Sequence, residues 1–223
     1  MLIIGHRGAR GLAPENTVAG LLKALQHGVA AVEFDVRVTA DGVVVLHHDE
    51  FLTDPAGNKL LVANTSLTEL RAHNRDVATL EEAILAIKQR LPMRVEVKPG
   101  VATAPVVKLI KQHLAKGSQA SDFLLSSFDF KVLKALRAAL PEVELVVNER
   151  WSGVRASHRA RVLGTKQLVM FERWLWSGFI SSMAHSGYQL CAYPLNDPKK
   201  ARRWARAGLY GVITDFPDRF EVK

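Results

Sequence analysis

An alternation constrains this chain more than any other feature. Short apolar bursts at 2–4, 31–38, 93–97, 123–125, 143–147, 167–171, 188–192 and 209–213 are rich in Val, Ile, Leu and Phe, as buried parallel strands are. Amphipathic segments lie between them. Residues 17–26 put Val18, Leu21, Leu22 and Leu25 on one face, with Asn16 as the expected N-cap and Gly28 past the end. Thr79-Leu80-Glu81-Glu82 and Ser66-Leu67-Thr68-Glu69 read as capping boxes, the first opening a helix with Leu80, Ile84, Ile87 and Leu91 inward. Further helices are predicted at 106–114, 128–140 and 178–186, and after Asp197-Pro198 up to Gly208. An extra strand at 43–48 follows Asp41-Gly42, a hairpin signal. Eight βα units in 223 residues fit an α/β fold of the (β/α)8 TIM-barrel type near its lower size limit. The rival, a doubly wound open sheet, carries a Gly-rich phosphate loop after its first strand, and none is present. Residues 1–223 thus read as one domain. The polar stretch 50–78 is a short insertion after the second strand's hairpin, on the barrel top.

Composition narrows the class. With 48% hydrophobic and 23% charged residues, wholesale disorder is excluded. The lone Cys191 makes neither an internal disulfide nor a Cys-based zinc site, and fits a reducing compartment. No run approaches the length needed to span a bilayer, and residues 1–4 are too short for a signal peptide's apolar region, so a cytoplasmic protein without stable membrane insertion is expected. The net charge of +8, densest at 199–206, suits an anionic ligand such as a phosphate ester, nucleic acid or membrane surface. A solvated basic surface explains the charge equally well.

Glu33 and Asp35 stand two apart in a strand and therefore share a face near its C-terminal end. They bind a metal or pair with Arg37 or another base. Glu96 and Lys98 repeat the spacing on the next barrel strand. Because the C-terminal ends of barrel strands converge, three carboxylates meet there without cysteine, an oxygen cage suited to Mg²⁺ or Ca²⁺. The alternative is a buried Glu96–Lys98 or Glu33–Lys98 ion pair, but three acids outnumber one lysine. His6 follows the first strand and His48 ends the hairpin strand beside Asp49, so the pair can share general acid and base roles. Arg7 offers a planar fork for phosphate oxygens, or a salt bridge to one of the acids. His27, His47, His73, His113, His158 and His185 read as surface or packing residues.

In chain order, His6-Arg7-Gly8, Pro14-Glu15-Asn16-Thr17, Glu33-Phe34-Asp35-Val36, Thr39-Ala40-Asp41-Gly42, His48-Asp49, Glu96-Val97-Lys98, Ser127-Phe128 and Thr214-Asp215-Phe216-Pro217 resemble the motifs of the glycerophosphodiester phosphodiesterase family. Each motif alone is weak; the ordered set, spanning nearly the whole chain, is specific. The resemblance implies a TIM barrel with a divalent metal at Glu33, Asp35 and Glu96. It further implies catalytic histidines at His6 and His48 and phosphate contacts from Arg7 and Lys98. The implied reaction is hydrolysis of a small glycerophosphodiester to an alcohol and sn-glycerol 3-phosphate. The substrate's neighbouring glycerol hydroxyl would attack, and water would open the resulting cyclic phosphate.

The chain departs from that family in places. Residues 52–57 lack the arginine often found after the His-Asp step, the insertion is short, and Tyr193 stands where tryptophan is common. These changes bear on the grip on the glycerol or head group. Glu172, Trp174 and Trp176 either line the mouth or pack at its rim. A lysophospholipase D-type activity on lysolipids is the alternative within the same chemistry. A non-catalytic basic binding protein ranks below both, since no nucleic-acid motif is present and no nucleic-acid partner is expected.

Overall fold

Each strand's apolar alternation is satisfied by a helix outside and a neighbour on either side. The computed structural model describes residues 1–54 and 56–220; Pro55, inside the 52–57 departure, and residues 221–223 lie outside the described residues. The order is β1 (Leu2–Gly5), α1 (Val18–Gln26), β2 (Ala31–Val38), β3 (Val44–Leu46), β4 (Phe51–Thr53), β5 (Lys59–Leu61), α2 (Leu67–His73), α3 (Leu80–Ile87) and β6 (Met93–Val97). Then follow α4 (Thr103–Ala115), β7 (Phe123–Ser127), α5 (Phe130–Ala139), β8 (Glu144–Glu149), α6 (Gly153–Leu163), β9 (Gln167–Phe171), α7 (Ser177–His185), β10 (Gln189–Tyr193), α8 (Pro198–Arg206) and β11 (Gly211–Thr214). The strands β1, β2, β6, β7, β8, β9, β10 and β11 pair in parallel, and β1 pairs with both β2 and β11, closing a (β/α)8 barrel. Strand β3 adds antiparallel to the end of β2.

Alternation sorts the side chains. Phe34, Val36, Val95, Val97, Leu125 and Leu145 face out and pack with Leu21, Ile84, Ile110, Leu133 and Ile180 of the helices. Ile4, Ala31, Val146, Val169, Cys191 and Ile213 form a separate apolar plug inside the barrel. The polar residues of the same strands sit above that plug.

Both capping boxes form, at Ser66/Glu69 and at Thr79/Glu82, and Asp197 caps α8 ahead of Pro198. Asn16 is not the cap of α1. Thr17 accepts the hydrogen bond from the Gly20 amide, and Asn16 adopts a positive φ of 55° and turns toward β2. Helix α6 has no counterpart among the predicted helices. It buries only Ala156, Ala160 and Leu163 while Val154 and Val162 are exposed, so its apolar period is faint and partly inverted. Within 50–78, β4 and β5 form a hairpin beside α2, and Leu52, Val62, Leu70 and Val77 pack with Val45 of β3 as a small satellite cluster.

Candidate active site

Strand register builds the site. Asp35 on β2, Glu96 on β6 and Ser126 on β7 are successive partners across the barrel wall, with Glu33 one inward step below Asp35. Oxygens of Glu33, Asp35 and Glu96 all lie within 4.8 Å of one another, and all three side chains are buried. The sequence expectation of one acidic cluster is met. So, in part, is the ion-pair alternative. Lys98 Nζ donates to Glu96 Oε1 at 2.6 Å and to Asp35 Oδ1 at 3.2 Å. Glu33 takes no part in that pair; the Arg7 backbone N–H donates to its Oε2 at 3.0 Å.

The charges do not balance locally. Burial, then the neighbouring Asp35 carboxylate, pushes Glu33 up to about 7. Glu96 is also raised, by burial and by Asp35. Asp35 is lowered: burial works against its charge, but Lys98 and Arg7 outweigh it. Three hard oxygen donors, one of them short of a counter-charge and with an ammonium already lodged between the other two, match a divalent oxygen-loving cation such as Mg²⁺ or Ca²⁺. The residues present fit the metal that the sequence implied.

Arg7 forms the salt bridge to the acids. Its Nε lies 3.1 Å from Asp35 Oδ2 and its Nη1 donates to Glu15 at 2.7 Å, so it is oriented by acids while lining the cavity. Its φ of 49° follows from a tight loop, and the next residue, Gly8, sits so close to α1 that a Cβ there would meet the Gly20 backbone at 2.4 Å.

The histidines differ. Pairing of Gly5 with Thr214 sets His6 beside Asp215, and His6 Nδ1 meets Asp215 Oδ1 at 2.6 Å. Asn196 locks that carboxylate, donating to Asp215 Oδ2 at 2.8 Å and accepting from the Asp215 amide. Burial disfavours the imidazolium of His6, but Asp215 and Glu33 prevail and its pKa is raised. His48 follows β3, pairs with the exposed Asp49 at 2.6 Å, and has its pKa lowered by burial, against the pull of Asp35. Both histidines line one cavity of about 720 Å³ with Arg7, Glu33, Asp35, Glu96 and Lys98.

Four supporting residues escaped the sequence reading as contacts. Asn16 donates to Asp35 Oδ2 at 3.1 Å and accepts from the Asp35 amide. Asn148 on β8 donates to Glu96 Oε2 at 2.9 Å. Asp215 and Asn196 orient His6. Asn16 and Asp215 stood inside quoted motifs, so their signal was present; Asn196 and Asn148 carried none. At the mouth the rim alternative holds. Trp151, not Trp174 or Trp176, lines the cavity, with Phe128 and Tyr193. Glu172 is turned away and pairs with Lys200. Tyr193 packs against Phe128 and Phe171, with ring centroids at 5.8 and 5.7 Å.

Comparison with known proteins bears on the family and the fold. A sequence profile of the glycerophosphoryl diester phosphodiesterase family matches residues 6–219. The chain is 24% identical to a glycerophosphodiester phosphodiesterase of Caldanaerobacter subterraneus, over 97% of this chain and 95% of that one. A phosphodiesterase of Oleispira antarctica, solved in complex with the product sn-glycerol-3-phosphate, superposes with a TM-score of 0.87 at 29% identity, covering 99% of this chain and 95% of that chain. A glycerophosphodiester phosphodiesterase of Thermotoga maritima shares the fold with a TM-score of 0.81 at 24% identity, covering 99% and 96%.

Proposed function

Because the chain belongs to the glycerophosphoryl diester phosphodiesterase family, we propose that this cavity hydrolyses small glycerophosphodiesters to an alcohol and sn-glycerol 3-phosphate, with His6 and His48 as its acid–base pair. One observation carries the reading: two histidines with oppositely shifted pKa values share a cavity with a buried three-carboxylate cluster. Groups whose environments push their pKa values apart are suited to opposite proton roles. His48, held toward the neutral form, takes the proton of the substrate's glycerol hydroxyl as that oxygen attacks phosphorus. His6, held toward the charged form by Asp215, gives its proton to the departing alkoxide. In the second half the roles reverse. His6 takes a proton from water as it opens the cyclic phosphate, and His48 returns one to the glycerol oxygen.

Arg7 and Lys98 contact the phosphate and neutralise its charge, which otherwise repels a nucleophile. Glu33, Asp35 and Glu96 hold a divalent metal ion, Mg²⁺ or Ca²⁺, whose contribution is Lewis-acid charge neutralisation at the phosphoryl group. In this reading, residues 1–223 form one domain and 50–78 is an insertion on it. The Oleispira relative's product complex supports a small phosphate ester as ligand. A second reading, lysophospholipase D-type cleavage of lysolipids, is favoured by one feature: the exposed Trp151 at the cavity edge.

Turnover of glycerophosphocholine against a glycerol p-nitrophenyl phosphodiester tests the roles. His48→Ala should lose about 10²–10⁴-fold on both substrates, the usual worth of a general base. His6→Ala should lose as much on glycerophosphocholine yet recover most of it in the release of nitrophenolate from the nitrophenyl ester, whose leaving group needs no proton, with the cyclic phosphate accumulating. Rescue of His48→Ala instead would exchange the assignments, and full activity of either variant on glycerophosphocholine would end the proposal.

A further inference from the structure

Beside the mouth, the loops after β8 and β9 expose an unusual amount of aromatic surface. Trp151 is 60% exposed, Trp174 48% and Trp176 63%, and the neighbouring Val154 is 83% exposed. Scattered exposed apolar residues need no explanation, but contiguous ones mark an interaction surface. These are contiguous. Trp151 packs on Trp174 with centroids 5.5 Å apart, and Trp176 packs on Phe179 at 5.3 Å. The two loops are also locked together, since a Cβ on Gly153 would strike the Phe179 ring at 2.4 Å. The rim is therefore built rather than frayed.

Its charge is one-sided. The loops carry the exposed Arg150 and Arg173, with Arg150 5.9 Å from the Trp151 ring. Their two acids are engaged from within the fold. Glu149 is buried and bound by Arg155, and Glu172 is paired with Lys200. Among the described residues of these loops, the outward face thus presents indoles and guanidinium groups without a free carboxylate.

We propose that this rim docks on an anionic lipid surface and seats the barrel mouth against the bilayer. Tryptophan, with an apolar body and one N–H donor, favours the headgroup level of membranes, and clustered basic residues draw a chain to anionic lipid. Single-stranded nucleic acid fits less well. Trp151 is tilted 56° on Trp174 and Trp176 is tilted 41° on Phe179, so the rings lean on one another instead of offering parallel platforms for bases. A docked mouth would let the proposed phosphodiesterase site draw on diesters or lysolipids at the membrane. That consequence rests on the functional reading above; the docking does not.

Cosedimentation of the full chain with vesicles of phosphatidylcholine mixed with phosphatidylglycerol, at low and near-physiological salt, tests the surface. Binding should exceed that to pure phosphatidylcholine and fall with salt. The double variant Trp174→Ala/Trp176→Ala should bind about tenfold less, from lost apolar contact. Arg173→Gln should bind about fivefold less at low salt. Both variants should turn over dissolved glycerophosphocholine like the parent, which shows that they fold. Absence of binding to the mixed vesicles, equal binding by the double variant, or an oligonucleotide bound through the same tryptophans at the same salt would each overturn the proposal. Vesicle binding by a chain that cleaves no diester would instead sink the functional reading and leave the surface standing.

Discussion

The two sides of the barrel mouth treat the same side chain in opposite ways. Glu33, at the β2 side, and Glu149, at the end of β8, are both buried glutamates lining one cavity. Glu33 is crowded by Asp35 and Glu96 and is pushed up to about 7. Glu149 is drawn down to about 2: burial opposes its charge, but Arg155 grips it at 2.6 Å through both Nε and Nη2, and the amides of Arg150 and Trp151 donate to it. One carboxylate is left wanting a cation; the other has more donors than it needs. The proposed function puts metal and substrate on the unsatisfied side, and the saturated side is scaffolding that fixes the loop carrying Trp151.

The sharpest way to break this contrast is Asp35→Asn. Asp35 accepts from Lys98 and Asn16 and lies 3.1 Å from Arg7, so its loss leaves Lys98 with Glu96 alone and Arg7 with Glu15 alone. Stranding a buried charge outright costs about 3–5 kcal/mol; with the second acids still in place the loss should approach but not exceed that, read as a fall in the urea midpoint, and turnover should vanish with it. A midpoint like the parent's would show that the acidic side is not held by this carboxylate.

Next comes the response to metal. Adding Mg²⁺ or Ca²⁺ to a chelated preparation should raise the Tm, with about 2.7 kcal/mol gained when the ion reaches a hundred times its Kd. Glu33→Gln should flatten that rise, whereas Glu149→Gln should keep it. An equal rise in Glu33→Gln would place the ion elsewhere.

The acid limb of stability tests the saturated carboxylates. Asp215, like Glu149, is lowered to about 2: burial opposes it, while His6 and Asn196 stabilise the charged form. A depressed carboxylate binds fewer protons folded than unfolded. Its contribution is therefore full above its unfolded pKa, near 4–4.5, and is lost as the pH falls toward 2. For each group the loss is on the order of 2–3 kcal/mol. Chemical denaturation from pH 6 to pH 2.5 should show a steep decline in the parent and shallower ones in Glu149→Gln and Asp215→Asn. Parallel curves would mean that neither group is held as described.

Sequence exposed the unsatisfied side far better than the saturated one. Glu33, Asp35, Glu96 and Lys98 were legible because strand alternation fixes which residues share a face, and barrel closure brings strand ends together. His6 and His48 were legible from their place at those ends. Nothing local tells Glu149 from Glu33; the difference lies in Arg155 and Arg159 on α6, a helix whose small buried face hid it. Asn16 was misread because an Asn before a helix is ordinarily a cap, and only the positive φ turns it toward Asp35. The His6–Asp215 pair spans 209 positions and depends on β1 meeting β11, which only barrel closure supplies.

The smallest expected effect lies farthest out on the saturated side. Trp176 is 63% exposed and its ring contact is with Phe179. Substitution by serine removes one edge of packing from a side chain that mostly faces outward. Stability should shift by less than about 0.5 kcal/mol, as for other surface positions. Turnover of dissolved glycerophosphocholine should hold steady, because the indole is not among the cavity's walls. Thermal unfolding and a steady-state assay on one preparation would measure both. A loss approaching that of Asp35→Asn would mean that the aromatic rim braces the barrel itself, and the division of the mouth into a strained reactive side and a settled outer side would have to be redrawn.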